Sequence, residues 1–217
     1  MLKVPGFLPR FLGLIDSRPW MVLGKGPSFP KHRDFNLSSY NSVGLNHVVC
    51  KLPQLDFVHM TDIEVLDGVA DVLMSSSKMR LILPFFPHVK NRPDVSRSVD
   101  IILNEKTYKH RKLLVKLYNE DRIFTYLSSL SSRSCRRKDI GPKIHVRYFS
   151  SVAVVNLLAG MKVKDITIIG IDGGTVYSKE FSSLVPLTNG RQDFDCQFKE
   201  IDKTVHKHKI QFRRIIP

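Results

Sequence analysis

Cysteine is scarce: Cys50, Cys135 and Cys196 stand far apart in a chain of 217 residues. An odd count with no CxxC or Cys/His ligand spacing offers neither a disulfide framework nor a structural zinc site, and it points to a reduced, cytoplasmic setting. Long apolar runs are also missing, and none approaches the roughly 20 residues a membrane-spanning helix needs. The stretch MLKVPGFLPRFLGLIDSRPW is apolar but is interrupted by Pro5, Pro9 and Asp16. It lacks the continuous core and the small-residue cleavage site of a signal peptide. Residues 1–18 are therefore expected as an extension that packs onto the domain, with a peripheral membrane contact as the alternative. Negative charge is in short supply, with 20 Asp and Glu against 34 Lys and Arg, a net charge of +14. This balance favours anionic partners: nucleic acid, an anionic membrane face or acidic small molecules. The basic residues gather in RSCRRKD (133–139) and HKHKIQFRR (206–214), which read equally well as solvated surface and, over 203–217, a basic tail. No repeat, low-complexity tract, helix-turn-helix, zinc finger or RNP-type motif accompanies them.

What is present is a globular composition, 42% hydrophobic, of a size that suits one domain. Short apolar runs recur at WMVL (20–23), SVGLNHVV (42–49), LDFVHM (55–60) and MRLILPFF (79–86), and IEVLDGVADVLM (63–74) has helical spacing. Nearly wholly apolar strands separated by helices predict an α/β, Rossmann-like fold, a mostly parallel sheet with helices on both faces. From about 87 to 143 the pattern weakens, KLLVKLYN (112–119) reads as a strand, and a mobile insert or lid is expected. The pattern returns with SSVAVVNLLAGM (150–161), a helix that Ser150 or Ser151 is placed to cap, and KDITIIGIDGG (164–174), a buried strand running into a glycine-rich turn.

Chemistry gathers at strand ends. In VLGKGPSF, Gly24 and Gly26 admit backbone geometry closed to other residues and let a ligand approach. Lys25 lies between them, Pro27 stiffens the turn and Ser28 offers a hydroxyl to an anion. Free amides of such a turn can bind a phosphate. The Walker lysine-serine pair and the third glycine of the dinucleotide fingerprint are absent. Asn46-His47, Thr61-Asp62 and Asp172-Gly173-Gly174 end further strands, and open α/β sheets bind ligands at carboxyl ends near the switch point. Each of these also has a plain structural role available, as a helix cap or a strand exit.

The segments VLGKGPSF, SVGLNHV, HMTD and YFSSVAVVNLLAGMKVKDITIIGIDGG, spread over 20–62 and 144–181, resemble the sialyltransferase-like superfamily of CMP-sugar glycosyltransferases. That group includes bacterial sialyltransferases and Kdo transferases, and a Kdo-transferase-like member is the preferred subgroup. The resemblance implies nucleotide contacts at Gly24, Lys25, Gly26, Pro27, Ser28, Asn46, Ser150, Ser151, Asp172, Gly173 and Gly174. No cofactor is implied beyond the CMP-sugar substrate. Within that reading Asp62 is the candidate carboxylate, His88 and His145 are candidate acid/base residues, and Arg147 is the candidate partner of the donor carboxylate. The acceptor would be a surface glycan or glycolipid, reached at the cytoplasmic face of the membrane. Departing from the family, the chain shows no late histidine motif folding over the site, His206 and His208 lying in the basic tail. Two other classes remain: a pterin diphosphokinase-like enzyme using ATP and magnesium held by Asp62 and Asp172, and a basic module that binds nucleic acid.

Overall fold

The computed structural model describes residues 2–4, 11, 13–14, 16–89, 92–128, 140–146, 148–186 and 192–217. Its centre is an eight-stranded, all-parallel sheet of β1 (Trp20–Leu23), β2 (Asn41–Leu45), β3 (Phe57–His59), β4 (Arg80–Pro84), β7 (Ile123–Ser128), β8 (Lys143–Ile144), β9 (Asp165–Ile169) and β10 (Gln211–Arg214). The order across the sheet is β10-β9-β1-β2-β3-β4-β7-β8. A separate antiparallel ribbon pairs β5 (His88–Val89) with β6 (Arg92–Ser96). The expected α/β, Rossmann-like architecture is the observed one.

Period-two alternation divides the strands between two cores. Met21, Leu23, Val58, Leu81, Leu83 and Ile169 point to one face, and Trp20, Val22, Phe57, Ile82, Phe124 and Ile168 to the other. The first face is covered by α1 (Leu66–Ser75), α2 (Val99–Asn104) and α3 (Arg111–Asn119), through residues such as Leu66, Ile102 and Leu114. The second is covered by α4 (Ser150–Gly160) and by Ile201 of α5 (Cys196–His208). Handedness explains the division. From β1 the chain advances strand by strand to β8, then returns to place β9 on the other side of β1. Parallel crossovers are right-handed, so reversing the direction of travel moves the connecting helix to the opposite face. α4 is the connection that makes this reversal. It lies between sheet and α5, so it is apolar on nearly every side, with only Asn156 and Gly160 incompletely buried.

Several expectations are corrected. KLLVKLYN belongs to α3 and not to a strand: Leu113, Leu114 and Leu117, at helical spacing, are its buried residues, and Lys112 is exposed. The span 87–143, expected as an insert or lid, contributes α2, α3 and the interior strand β7 to the fold. The run RSCRRKD lies outside the described residues. The basic tail from 203 onward completes α5 and forms β10, which pairs with β9 in the register Gln211↔Asp165. Lys209, at φ 52°, takes the left-handed conformation that ends α5. SVGLNHVV leaves the strand at Leu45, and Asn46–Cys50 forms a 3₁₀ turn.

The N-terminus does pack onto the domain. The amides of Leu2 and Val4 donate to Asn104 Oδ1 (2.9 Å) and Asp100 Oδ1 (2.7 Å) of α2. Phe11 is fully buried against Trp20 and Phe57 on the other face, at ring-centroid distances of 5.9 and 5.1 Å. Among the described residues no helix is long and apolar enough to cross a membrane.

The exits of β1 and β9 are in backbone contact. A Cβ on Gly24 would lie 2.2 Å from the Gly170 carbonyl oxygen, and a Cβ on Gly170, where φ is +68°, would lie 2.3 Å from that of Gly24. Gly24→Ala and Gly170→Ala are each expected to cost on the order of 3 kcal/mol. Gly160→Ala, with nothing within 4 Å of the new methyl, is expected to leave the protein equally or more stable. Urea unfolding of the three variants checks this contrast.

Candidate functional site

Because the chain runs outward from β1 in both directions across the sheet, the exits of β1 and β9 flank the topological switch point, where open α/β sheets leave a crevice. A cavity of about 500 Å³ opens there, within the range of small-molecule sites. Its lining comes from the strand exits at Gly24–Gly26, Asn46–His47, Thr61–Asp62 and Gly170–Gly173, from the start of α4 at Ser150–Ser151, and from an aromatic wall.

The glycine turn has a different job from the expected phosphate cradle. Gly24 N–H donates to Ile169 O (2.8 Å), Gly26 N–H to Gly170 O (2.7 Å) and Phe29 N–H to Gly26 O (2.9 Å). Ser28 N–H donates to Asp172 Oδ2 (2.7 Å), and Ser28 Oγ accepts from Gly170 N–H (2.8 Å). The amides of Gly24, Gly26 and Ser28, which the sequence suggested for an anion, are thus consumed in joining the β1 exit to the β9 exit. Ser28 is buried, and neither it nor Pro27 reaches the cavity. Gly26 is glycine because a Cβ would lie 2.4 Å from Asp172 Oδ2. Gly173 likewise makes room for Asp195, whose Oδ1 a Cβ would approach. Gly174 lies off the cavity and gives its N–H to the same oxygen (3.3 Å).

The turn's contribution to the cavity is Lys25. Its ammonium sits over the Tyr177 ring, 4.2 Å from the centroid, and among the described residues it has no ion-pair partner. Burial lowers its pKa to about 8. His47 shares the cavity, and both burial and the Lys25 charge hold its pKa below the ordinary histidine value, which leaves the ring neutral at pH 7. His47 packs against the helix backbone at Gly68 of α1, where a Cβ would be 2.5 Å from Nε2.

Buried polar atoms without a hydrogen-bond partner cluster here. Of five such side-chain atoms among the described residues, three belong to cavity residues: Asn46 Oδ1, His47 Nδ1 and Asp172 Oδ1. Buried polar groups are ordinarily satisfied, so this concentration marks a surface shaped for something other than its own folding. Asn46 also adopts φ 55°, a left-handed conformation seldom taken by a residue with a side chain. Asp62 lines the cavity and its Oδ1 accepts the Glu64 amide (2.8 Å), so it caps the following turn while facing the site.

Ser150 and Ser151 reach the cavity, but neither caps α4. Phe149 holds the cap position without a side-chain bond, and Ser151 Oγ donates instead to Gln197 Oε1 (2.5 Å). Backbone N–H groups in this first turn have no intrahelical acceptor. Tyr148, Phe149, Phe194 and Tyr177 form a chain of ring contacts at 6.5, 6.2 and 5.8 Å along one side.

Other candidates fall elsewhere. His88 is buried and lies off the cavity; its amide donates to Thr61 O (2.8 Å), and burial lowers its pKa. His145 is exposed and also off the cavity, and its carbonyl accepts from Asn156 Nδ2 (2.5 Å). Arg147 lies outside the described residues. The histidine that the fold brings to the site is His47, which the sequence marks with Asn46 as a polar strand end without assigning it an acid/base role. Tyr177, Phe194 and Gln197 carried no signal, because they come from a loop and a helix start far along the chain. Among the described residues no group of three or more His, Cys, Asp or Glu side chains is arranged to hold a metal ion.

No protein-family model, curated protein or solved structure matches this chain.

Asn46→Gly removes the buried acceptor while accommodating the positive φ, so its stability is expected within about 1 kcal/mol of wild type. A ligand that donates a hydrogen bond to Asn46 is expected to bind on the order of tenfold more weakly to this variant. Thermal unfolding and calorimetric titration together separate the two effects.

Proposed function

We propose that the protein is a glycosyltransferase that moves an acidic sugar of the Kdo or sialic acid type from a CMP-activated donor to a surface glycan or glycolipid. The observation that carries this reading is Lys25: a largely desolvated cation with no counter-ion among the described residues, held over an aromatic ring in a switch-point cavity, favours an anionic ligand. The donor supplies charge in two places, the phosphate of CMP and the carboxylate of the sugar. In the proposed pose the phosphate meets Lys25, and the first-turn amides of α4 at Ser150 and Ser151 add partial positive charge. Asn46 and Asp172, each with a buried acceptor oxygen free of partners, face the hydroxyls or amino group of the nucleoside. The aromatic wall supplies an apolar surface for the base.

Transfer breaks the bond between the anomeric carbon and the phosphate oxygen, and negative charge grows on the leaving phosphate. Lys25 and the amide dipoles act where that charge develops, the placement that lowers a barrier most effectively. Asp62, which lines the cavity, is the carboxylate proposed either to take the proton of the acceptor hydroxyl or to attack the anomeric carbon first. The acceptor is met at the cytoplasmic face of the membrane, where a chain of net charge +14 is drawn to anionic lipid.

Thermal-shift measurements with CMP, CTP, UDP, GDP and ATP, each with and without magnesium, test this reading. Cytidine nucleotides at about a hundredfold their dissociation constant are expected to stabilise by about 2.7 kcal/mol, on the order of 5–10 °C. A shift that needs ATP and magnesium would favour diphosphoryl transfer instead, and no shift with any nucleotide would overturn the proposal. A second outcome follows from the charge state of Lys25. Phosphate binding requires the ammonium, so affinity is expected to weaken as pH rises through about 8, approaching tenfold per pH unit. Lys25→Met should bind weakly and lose that dependence. Titrations of CMP against pH for both proteins check it.

A further inference from the structure

Lys25 extends from a turn that cannot easily shift. The turn is pinned to the β9 exit on both sides of Lys25 by the amides of Gly24 and Gly26, and the Lys25 carbonyl accepts the Ser178 N–H (2.7 Å). The side chain therefore enters the cavity from a fixed base and rests on Tyr177. Asp62, Glu64 and Asp172 share the cavity, yet none forms an ion pair with it. His47, the other basic group there, is close enough for the Lys25 charge to disfavour its protonation. A lysine largely withdrawn from water, with no counter-ion among the described residues and beside a second cation-forming group, is in the surroundings that turn an ammonium into a nucleophilic amine.

We propose that the Lys25 amine is a covalent site for small 2-keto acids and carboxylate-bearing aldehydes, which it captures as an imine within the cavity. The neutral Nζ attacks the carbonyl carbon, and the N–C bond forms as the C=O π bond opens. The two amine protons leave with the carbonyl oxygen as water when the C–O bond breaks. The C=N bond remains, and its nitrogen is then protonated from solvent. His47, neutral and with Nδ1 lacking a partner, is the neighbouring group suited to relay protons during the exchange. The carboxylate of the keto acid is placed to meet the uncapped first turn of α4 at Ser150 and Ser151 in the same cavity. An uncharged ketone has no equivalent contact. Burial supports the chemistry, because a lysine titrating near 8 holds on the order of a hundredfold more free amine near neutrality than an exposed one. The same group serves both roles, protonated towards phosphate and neutral towards a carbonyl. This site goes beyond glycosyl transfer, and its test requires no nucleotide.

The test is reductive trapping of the full-length protein with pyruvate and sodium cyanoborohydride at about pH 7.5, with acetone as the uncharged control, followed by peptide mapping. The Lys25 peptide is expected to acquire the reduced adduct on the order of tenfold faster than peptides carrying the exposed Lys162 or Lys199. Acetone is expected to show a much smaller preference. Lys25→Arg should fold with an unchanged melting temperature and lose the fast-labelled site. Pyruvate adducts spread evenly over exposed lysines, or a Lys25 peptide that stays unmodified, would overturn the proposal, and equal selectivity with acetone would overturn its restriction to anionic carbonyls. The wild-type map decides these points even if the variant folds poorly.

Discussion

The close contact of Gly24 with Gly170 is the constraint on which the rest of the molecule depends. Two backbones approach so nearly that neither position has room for a Cβ, and amides from the β1 exit reach carbonyls of the β9 exit. The contact joins two residues far apart along the chain, both of which line the cavity. Ser28 and Asp172 reinforce the junction from either side, each accepting from the backbone of the other's strand exit. Arg214 at the end of β10 adds a bond from Nη2 to the Asp172 carbonyl (2.5 Å) while stacking over Phe198.

From that junction the placement of the site follows. The right-handed crossover rule puts α1, α2 and α3 on one face and α4 on the other, because the chain reverses direction across the sheet only between β8 and β9. α4 therefore begins above the carboxyl ends of the strands, and its uncapped first turn faces the gap that the reversal leaves. α5 seals the outer side of α4 through Ile201 and through Gln197, which holds the Ser151 hydroxyl away from a capping role. The polar groups left in the cavity are those that the fold does not use: the Lys25 ammonium, the acceptor oxygens of Asn46 and Asp172, and His47 Nδ1.

Much of this was legible in advance. Runs such as WMVL and MRLILPFF are buried on both faces and so carry no polar alternation, which is the mark of a parallel sheet. The polar residues at their ends identified Asn46, Asp62 and Asp172 as cavity residues. KLLVKLYN misled because its hydrophobic content suits a strand, while the three leucines that decide its structure are spaced for a helix face. The basic tail misled because β10 is an edge strand. Among the described residues only one of its edges is paired, three of its four residues are exposed, and its sequence therefore stays charged and does not read as a core strand.

The sequence by itself determined the fold class and the strand exits that build the site, because apolar periodicity and glycine placement are local consequences of burial and backbone sterics. Only the tertiary structure decided what those residues do. It committed the amides of Gly24, Gly26 and Ser28 to the partner strand's exit and left Lys25 as the group the turn presents. It chose His47 over His88 and His145, and it assembled the aromatic wall from segments distant along the chain. A hydrogen bond donated to another strand and one donated to a ligand ask the same of a glycine turn, and the difference lies in what stands opposite it in space.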